Sequence, residues 1–256
     1  MIHTPDRWLS KAGLASRREV LEWITAGRLT LKARPVVFDR PVSSPGSREE
    51  CMILPPFFLD GQPLVPPPPL LLALNKPRGI LVTRTDPRGR PVIGDLIRAS
   101  PWGAPGYGSI RPIGRLDQAS AGLILLTNFP ELFSDFLDPS SRVLRIYRVQ
   151  ISPVLREEHQ TLFFSGRAGE APGYGKIEVI PERRSLRSEW IHVGLSEGRN
   201  REIRNFLAWY GYQVLHLIRL SFGPYALGDI PPGTISDISD RSGEAGVRWV
   251  TWRRAE

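Results

Sequence analysis

Asp117 is the residue whose surroundings most clearly suit chemistry. It is the last residue of the segment Gly114-Arg115-Leu116-Asp117. Gly122 and the apolar run 123–127 follow it. A carboxylate in a glycine-flanked loop just before a buried strand is held rigidly at the surface. That placement suits a nucleophile or a group that transfers a proton. A plain aspartate turn beside an arginine is the alternative interpretation of these residues alone.

Two further segments carry residue types that bind RNA or transfer protons. The run 145–149 alternates, so Arg145 and Tyr147 lie on one face of a predicted strand. A tyrosine beside a cation on a sheet face can stack on a base and pass a proton. Residues 197–204 form an arginine-rich glycine turn that opens a helix, and helix N-termini and arginines both bind phosphate. Each segment alone could be a charged surface patch, but together they favour a site.

The charge balance favours a nucleic-acid partner. Lys and Arg total 34 of the 256 residues and Asp and Glu total 26, which gives a net charge of +8. Only four of the basic residues are lysine. Arginine binds phosphate bidentately and stacks on bases. A GC-rich genome that favours arginine codons is the alternative explanation.

Other function classes are excluded by what the sequence lacks. Cys51 is the single cysteine, so neither a disulfide framework nor a cysteine zinc site is expected, and the four histidines show no metal spacing. The first residues have no apolar stretch typical of a signal peptide. Prolines at 66–69 interrupt the apolar run 64–74, so it cannot span a bilayer as a helix. We therefore expect a cytoplasmic protein without a membrane or metal partner.

The first 35 residues predict two short helices and a strand. Residues 7–12 run into Gly13, a glycine helix stop, and residues 16–19 form a capping box for a second helix that Gly27 ends. Residues 29–31 predict the strand. Seven cations and two glutamates between positions 7 and 34 concentrate positive charge in this unit. Either an RNA-binding unit or an ordinary solvated helical hairpin would fit.

The rest of the chain is predicted to be an α+β domain. A proline-rich linker at 65–69 separates an N-terminal domain, residues 1–64, from a catalytic domain, residues 70–256. Strands in series with few helices favour a mixed, mainly antiparallel sheet over a doubly wound parallel one. Strands are predicted at 70–74, 122–127, 145–151, 176–180, 190–195 and 214–220, and helices at 92–99, 130–137 and 201–210.

These motifs together resemble the pseudouridine synthases of bacterial ribosomal RNA that carry an S4 domain. Residues 12–18 and 26–29 are similar to the S4 RNA-binding fold. Residues 74–79 are similar to the motif that opens the catalytic domain, and residues 114–127 to the motif of the catalytic aspartate. Residues 197–204 and 217–224 resemble the later motifs, more closely those of the large-subunit synthase B branch than those of the small-subunit synthase A branch.

The resemblance implies isomerisation of uridine to pseudouridine in structured rRNA, without cofactor or metal. Asp117 would start cleavage of the uracil N1–C1′ bond, either by attacking C1′ or by removing a sugar proton. Tyr147 would lie against the uracil and assist the final loss of the C5 proton. Arg204 would pair with Asp117, which favours the ionised carboxylate. Arg115 would help to hold the target base out of its stack.

Further cations are predicted to contact RNA. They are Arg7, Lys11, Arg17, Arg18, Arg28, Lys76, Arg199 and Arg201. The expected partner is ribosomal RNA, free or in an assembly intermediate, and the expected state is a monomer. Two alternatives stay open: the same chemistry on small-subunit rRNA or another RNA, and a non-catalytic S4 protein that binds RNA or assists ribosome assembly.

Three positions depart from the family pattern. Arg145 stands where lysine is usual, two residues before the tyrosine, and its planar fork is larger. Lys32-Ala33 replaces the usual Asn-Gly of the S4 turn. Residues 232–235 lack the arginine or tryptophan often found there.

Overall fold

The computed structural model describes residues 2–31, 34–36, 42–43, 57–164 and 177–239. Lys32 and Ala33 lie outside the described residues, and so does Lys176 at the start of one predicted strand. Within the described part of the chain, no helix is both long enough and apolar enough to cross a bilayer.

The N-terminal residues form two helices beside a small antiparallel sheet. The helices are α1 (Pro5–Lys11) and α2 (Arg17–Thr25), and the predicted capping box is present: Ser16 Oγ accepts from the Glu19 N–H, and the Glu19 carboxylate accepts from the Ser16 N–H. The strands are β1 (Ile2–His3), β2 (Leu29–Leu31), β3 (Arg34–Pro35), β4 (Val42–Ser43), β5 (Phe57–Leu59) and β6 (Gln62–Pro63). Four of them pair in the order β3-β2-β5-β6, and β1 pairs with β4.

This N-terminal unit is fixed to the rest of the chain by polar contacts. The Arg111 guanidinium donates to Ser10 Oγ at 2.5 Å and to the Ala15 carbonyl at 3.1 Å. The Ser109 N–H donates to the Gly13 carbonyl at 2.8 Å. Burial lowers the pKa of Arg111. The proline-rich segment 65–69 is therefore not a flexible linker between independent units, because these bonds join residues that precede it to residues that follow it.

The second part of the chain is built on one large sheet with helices packed against it. Its strands are β7 (Leu71–Lys76), β8 (Arg111–Ile113), β9 (Ala121–Thr127), β10 (Arg145–Ser152), β11 (Ile177–Arg184), β12 (Glu189–Leu195), β13 (Gln213–Phe222), β14 (Tyr225–Ala226) and β15 (Ile235–Asp237). Its helices are α3 (Ile93–Ala99), α4 (Ser134–Leu137), α5 (Glu157–Phe164) and α6 (Glu202–Trp209).

The strand order brings distant segments of sequence together. Seven strands run in the order β11-β12-β10-β13-β9-β7-β15, with β8 on β9 and β14 on β13. All neighbouring pairs are antiparallel except β13 and β9, which run parallel. The α+β class and the mixed, mainly antiparallel sheet are confirmed. The predicted strands and helices are present, with ends in the described residues that differ by at most four residues from those predicted, whereas β8, β14, β15 and α5 were not predicted.

The parallel contact between β9 and β13 depends on Gly122. This residue has φ +100 and faces Arg219, whose carbonyl oxygen would lie 2.3 Å from a Cβ at position 122. Only glycine fits such an approach. The contact places the loop that carries Asp117 beside the residues of β10 and β13.

Candidate active site

The loop of Asp117 is held from beneath by Lys76, at the end of β7. The Lys76 side chain is 0% exposed, and its Nζ donates to the carbonyls of Ser120 at 2.7 Å, Pro77 at 2.9 Å and Gln118 at 3.5 Å. Burial lowers the pKa of Lys76 to about 8, while the charge of Asp117 acts in the opposite direction. The prediction that Lys76 contacts RNA is therefore wrong, because its ammonium is enclosed and bonded to backbone.

Two arginines approach the same carboxylate oxygen of Asp117. Arg201 Nη1 lies 3.4 Å and Arg204 Nε 3.7 Å from Oδ2. The Arg204 side chain is 12% exposed, and it is oriented by the Val214 carbonyl, which accepts from Nη1 at 3.2 Å. Burial lowers the pKa of Arg204, as does the charge of Arg201, and Asp117 opposes them. The carboxylate itself is 32% exposed and remains accessible from the cleft.

The floor beside Asp117 is formed by β10 and β13. Tyr147 pairs across the strands with Arg219, and both are buried while lining the cleft. The Arg219 Nε donates to the Leu123 carbonyl at 2.7 Å, and its guanidinium lies over the Phe222 ring. Burial lowers the pKa of Arg219, and a hydrogen bond to the Tyr147 side chain opposes that effect. Arg219 was assigned no role from sequence.

Arg145 ties two cleft walls together. Its Nη1 donates to the carbonyls of Val143 at 3.0 Å, Glu197 at 3.0 Å and Ser196 at 3.2 Å, and its Nη2 to that of Phe136 at 3.2 Å. The planar fork thus binds four carbonyls from two loops, more than the three N–H groups of a lysine can reach. Burial lowers the pKa of Arg145.

The turn before α6 is fixed by acidic side chains. Glu202 is buried, and its carboxylate accepts from the Arg199 N–H at 3.0 Å. Burial raises the pKa of Glu202, against the effect of that hydrogen bond. Arg199 Nε lies 2.7 Å from Glu197 Oε2. These contacts hold the arginine-rich turn in one shape next to Asp117.

The site opens into a groove made of two adjoining clefts. The first, of about 800 Å³, contains Asp117, Tyr147 and Arg204. The second, of about 820 Å³, is also lined by seven residues between 81 and 90. Residues 114–117, 198, 199 and 201 line both clefts, so Asp117 lies where the two clefts adjoin. Arg115 is exposed there and makes no hydrogen bond or ion pair with any described residue.

The predicted N-terminal cations lie outside the groove. Arg7, Arg17, Arg18 and Arg28 are exposed and Lys11 is partly exposed. Arg17 pairs with the buried Asp6 at 2.6 Å, Arg18 with Glu22 and Arg28 with Asp60. Sequence reasoning also overlooked a cleft residue, Arg142, whose position no sequence signal indicates.

The arrangement suits substitution or proton transfer at a nucleotide. A positioned, ionised carboxylate can act as nucleophile or base. Arginines at the same cleft can hold the phosphates around the reacting sugar. An aromatic ring in the floor offers a surface for a base.

Comparison with known proteins identifies the family. The family model described as RNA pseudouridylate synthase matches residues 70–209. An uncharacterized RNA pseudouridine synthase of Mycobacterium bovis is 35% identical over 244 residues, covering 93% of this chain and 89% of the relative. One of Rickettsia prowazekii is 28% identical over 237 residues, covering 91% and 93%. A crystal structure of a pseudouridylate synthase shares the fold, with a TM-score of 0.59 and 18% identity over 93% of this chain and 96% of that one. The chain therefore belongs to the RNA pseudouridylate synthase family, whose members are enzymes.

Proposed function

We propose that this RNA pseudouridine synthase acts on structured ribosomal RNA, with the large-subunit (23S) rRNA as its target. The observation that carries the proposal is the partly exposed carboxylate of Asp117, with two arginines on one oxygen, in the same cleft of about 800 Å³ as the buried Tyr147. The resemblance of residues 198–204 and 217–224 to the large-subunit synthase B branch supports the choice of RNA.

The proposed reaction is an isomerisation that gains and loses no atoms overall. Asp117 initiates departure of N1 from C1′ with the bonding electron pair, by attack on C1′ or by removal of a sugar proton. The freed uracil turns and C5 bonds to C1′, while the bond from Asp117 to C1′ breaks or, on the other route, the sugar proton is returned. The C5 proton then passes to solvent with the help of Tyr147, and N1 takes up a proton from solvent. Arg204 and Arg201 orient the carboxylate through their contacts with Oδ2. Arg115, which has no partner among the described residues, is free to enter the RNA and hold the target nucleotide out.

The N-terminal unit is proposed to be an S4-like RNA-binding domain over residues 1–64, followed by the linker 65–69 and the catalytic domain 70–256. Exposed arginines on α1 and α2 support electrostatic, shape-directed binding. The polar contacts of Arg111 support a fixed relation between this unit and the groove. We further propose a cytoplasmic monomer that acts during ribosome assembly without a cofactor.

The target is tested by carbodiimide-adduct primer extension on protein-free large- and small-subunit rRNA transcripts and on precursor particles, each incubated with the enzyme. The expected result is a single enzyme-dependent stop in the large-subunit RNA. A stop confined to the small-subunit RNA would overturn the target while preserving the chemistry. No stop in any transcript or particle would overturn the choice of ribosomal RNA.

The role of the N-terminal unit is tested by a charge variant that leaves its fold intact. Arg7→Gln with Arg18→Gln removes two exposed cations, neither of which bonds a buried group. The slope of log binding constant against log salt should become shallower by about 1.5. An unchanged slope, with unchanged thermal stability, would refute RNA binding by these helices.

A further inference from the structure

Two arginines of the catalytic cleft share an unusual backbone. In the described part of the chain, three residues other than glycine have positive φ: Asp60 at 51°, Arg142 at 48° and Arg201 at 54°. Asp60 has a local reason, since it precedes Gly61 in the tight turn between β5 and β6. Arg142 and Arg201 both line the catalytic cleft. The left-handed backbone conformation is unfavourable for a residue that has a Cβ. Residues in this conformation are concentrated at functional sites, where the surrounding structure stabilises it.

The backbone of Arg142 is held from both sides. Before it, the Ser140 N–H donates to Asp138 Oδ1 at 2.8 Å and the Ser141 N–H to the Asp138 carbonyl at 3.1 Å, which closes a tight turn. After it, the Val143 carbonyl accepts from Arg145 at 3.0 Å. The same Arg145 guanidinium also binds Phe136, at the start of the segment. The segment is therefore clamped at both ends, and the position of Arg142 is fixed.

The side chain of Arg142 is a cation with no partner among the described residues. It is exposed and makes no hydrogen bond or ion pair with any described residue. Arg201 differs, because it lies 3.4 Å from Asp117. Leu137, which lines the same cleft, is 49% exposed and offers an apolar surface there. A guanidinium carried on a fixed backbone, in a cleft that also exposes an apolar side chain, fits the phosphate and the sugar or base of a nucleotide.

The place of Arg142 in the groove indicates which nucleotide it meets. Leu137, Ser140 and Arg142 line the catalytic cleft but not the adjoining one, and seven residues between 81 and 90 line the adjoining cleft alone. The segments of Asp117 and Arg201 line both clefts. Arg142 therefore lines the cleft that holds Asp117, on a wall that this cleft does not share with the adjoining one.

We propose that Arg142 is a positioning residue that binds a backbone phosphate flanking the target nucleotide. The proposal rests on the proposed action on RNA. Arg142 touches no reacting atom; its two parallel N–H groups fix the strand so that the target sugar reaches Asp117. Its strained backbone is retained because it aims the guanidinium into the groove.

The test uses Arg142→Gly, which removes the cation and suits the left-handed backbone, so misfolding cannot explain a loss. Binding to the protein-free large-subunit rRNA transcript should weaken about tenfold, and the salt slope should fall by about 0.9. KM should rise with kcat changed less than twofold, and the melting temperature should stay at or above that of the wild type. Arg142→Lys should restore the salt slope and part of the affinity, since it keeps the charge without the fork.

The matched control is Arg187→Gly, which removes an exposed cation near the β11–β12 turn. That turn is at the opposite end of β12 from the cleft residue Leu195, a distance of about 20 Å along the strand. The control should leave affinity and slope near the wild-type values. An unchanged Kd and slope in Arg142→Gly, or an equal loss in the control, would overturn the proposal. Turnover of the RNA by the wild type is measured in the same preparation. Wild-type turnover with an unchanged Kd in Arg142→Gly would overturn only the role of Arg142, whereas the absence of wild-type turnover would count against the proposed function.

Discussion

Replacing Lys76 by methionine tests whether a buried ammonium supports the loop that carries Asp117. Lys76 is 0% exposed, and its pKa is lowered from 10.5 to about 8. Between pH 8 and pH 10.5, Lys76 is still protonated in the unfolded chain but has lost its proton in the folded protein. The free energy of unfolding therefore rises with pH over this interval. The charged form lowers the free energy of unfolding by about 3 kcal/mol at pH 7, and raising the pH to 9.5 recovers about 2 kcal/mol of this.

Urea unfolding at pH 7 and pH 9.5 measures the effect. The wild type should gain about 2 kcal/mol more than Lys76→Met over this interval, because the variant has no ammonium to titrate. Lys11→Met, at the partly exposed end of α1, is the matched control and should behave as the wild type does. The variant should also lose kcat, since the carbonyls of Pro77 and Ser120 lose their donor, while its RNA affinity stays within twofold. Equal pH dependence in wild type and variant, or a large loss of RNA affinity, would refute the reasoning.

Two other predictions follow from close contacts. Gly122→Ala places a Cβ 2.3 Å from the Arg219 carbonyl oxygen. We expect the free energy of unfolding, measured by heat or urea, to fall by about 4 kcal/mol or more. The control Gly106→Ala has open space around the new Cβ and should lower it by about 0.5 kcal/mol or less. Similar stability of the two variants would contradict the parallel strand contact. Arg111→Met removes two bonds to the N-terminal unit, so limited proteolysis should cut the proline-rich segment faster while the catalytic domain stays folded. An unchanged cleavage rate would show that these bonds do not fix the unit.

The predictable features were those that depend on neighbours in sequence. The capping box at Ser16, the alternation of β10 and the helix after the arginine-rich turn all arise from local patterns. Asp117, Tyr147 and Arg204 were gathered in one site by resemblance, and the structure places all three in one cleft. Their catalytic roles stay predictions.

The missed features depend on contacts between distant segments. Lys76 was predicted from sequence to contact RNA, but pairing of β7 with β9 encloses it beneath the loop of Asp117. Arg145 looked like a cation on a sheet face, but it binds carbonyls from loops on either side. The left-handed backbone of Arg142 carries no glycine or asparagine signal that could have indicated it.

The most direct test of the account is single-turnover release of tritium from RNA labelled at uridine C5, because loss of that proton completes the proposed isomerisation. Asp117→Asn should release no tritium above background while its RNA affinity equals or exceeds that of the wild type, since one negative charge leaves the cleft. Asp237→Asn, an exposed aspartate of β15, is the matched control and should release tritium at the wild-type rate. Release by Asp117→Asn at more than about one hundredth of the wild-type rate would contradict the central claim that this carboxylate initiates the reaction.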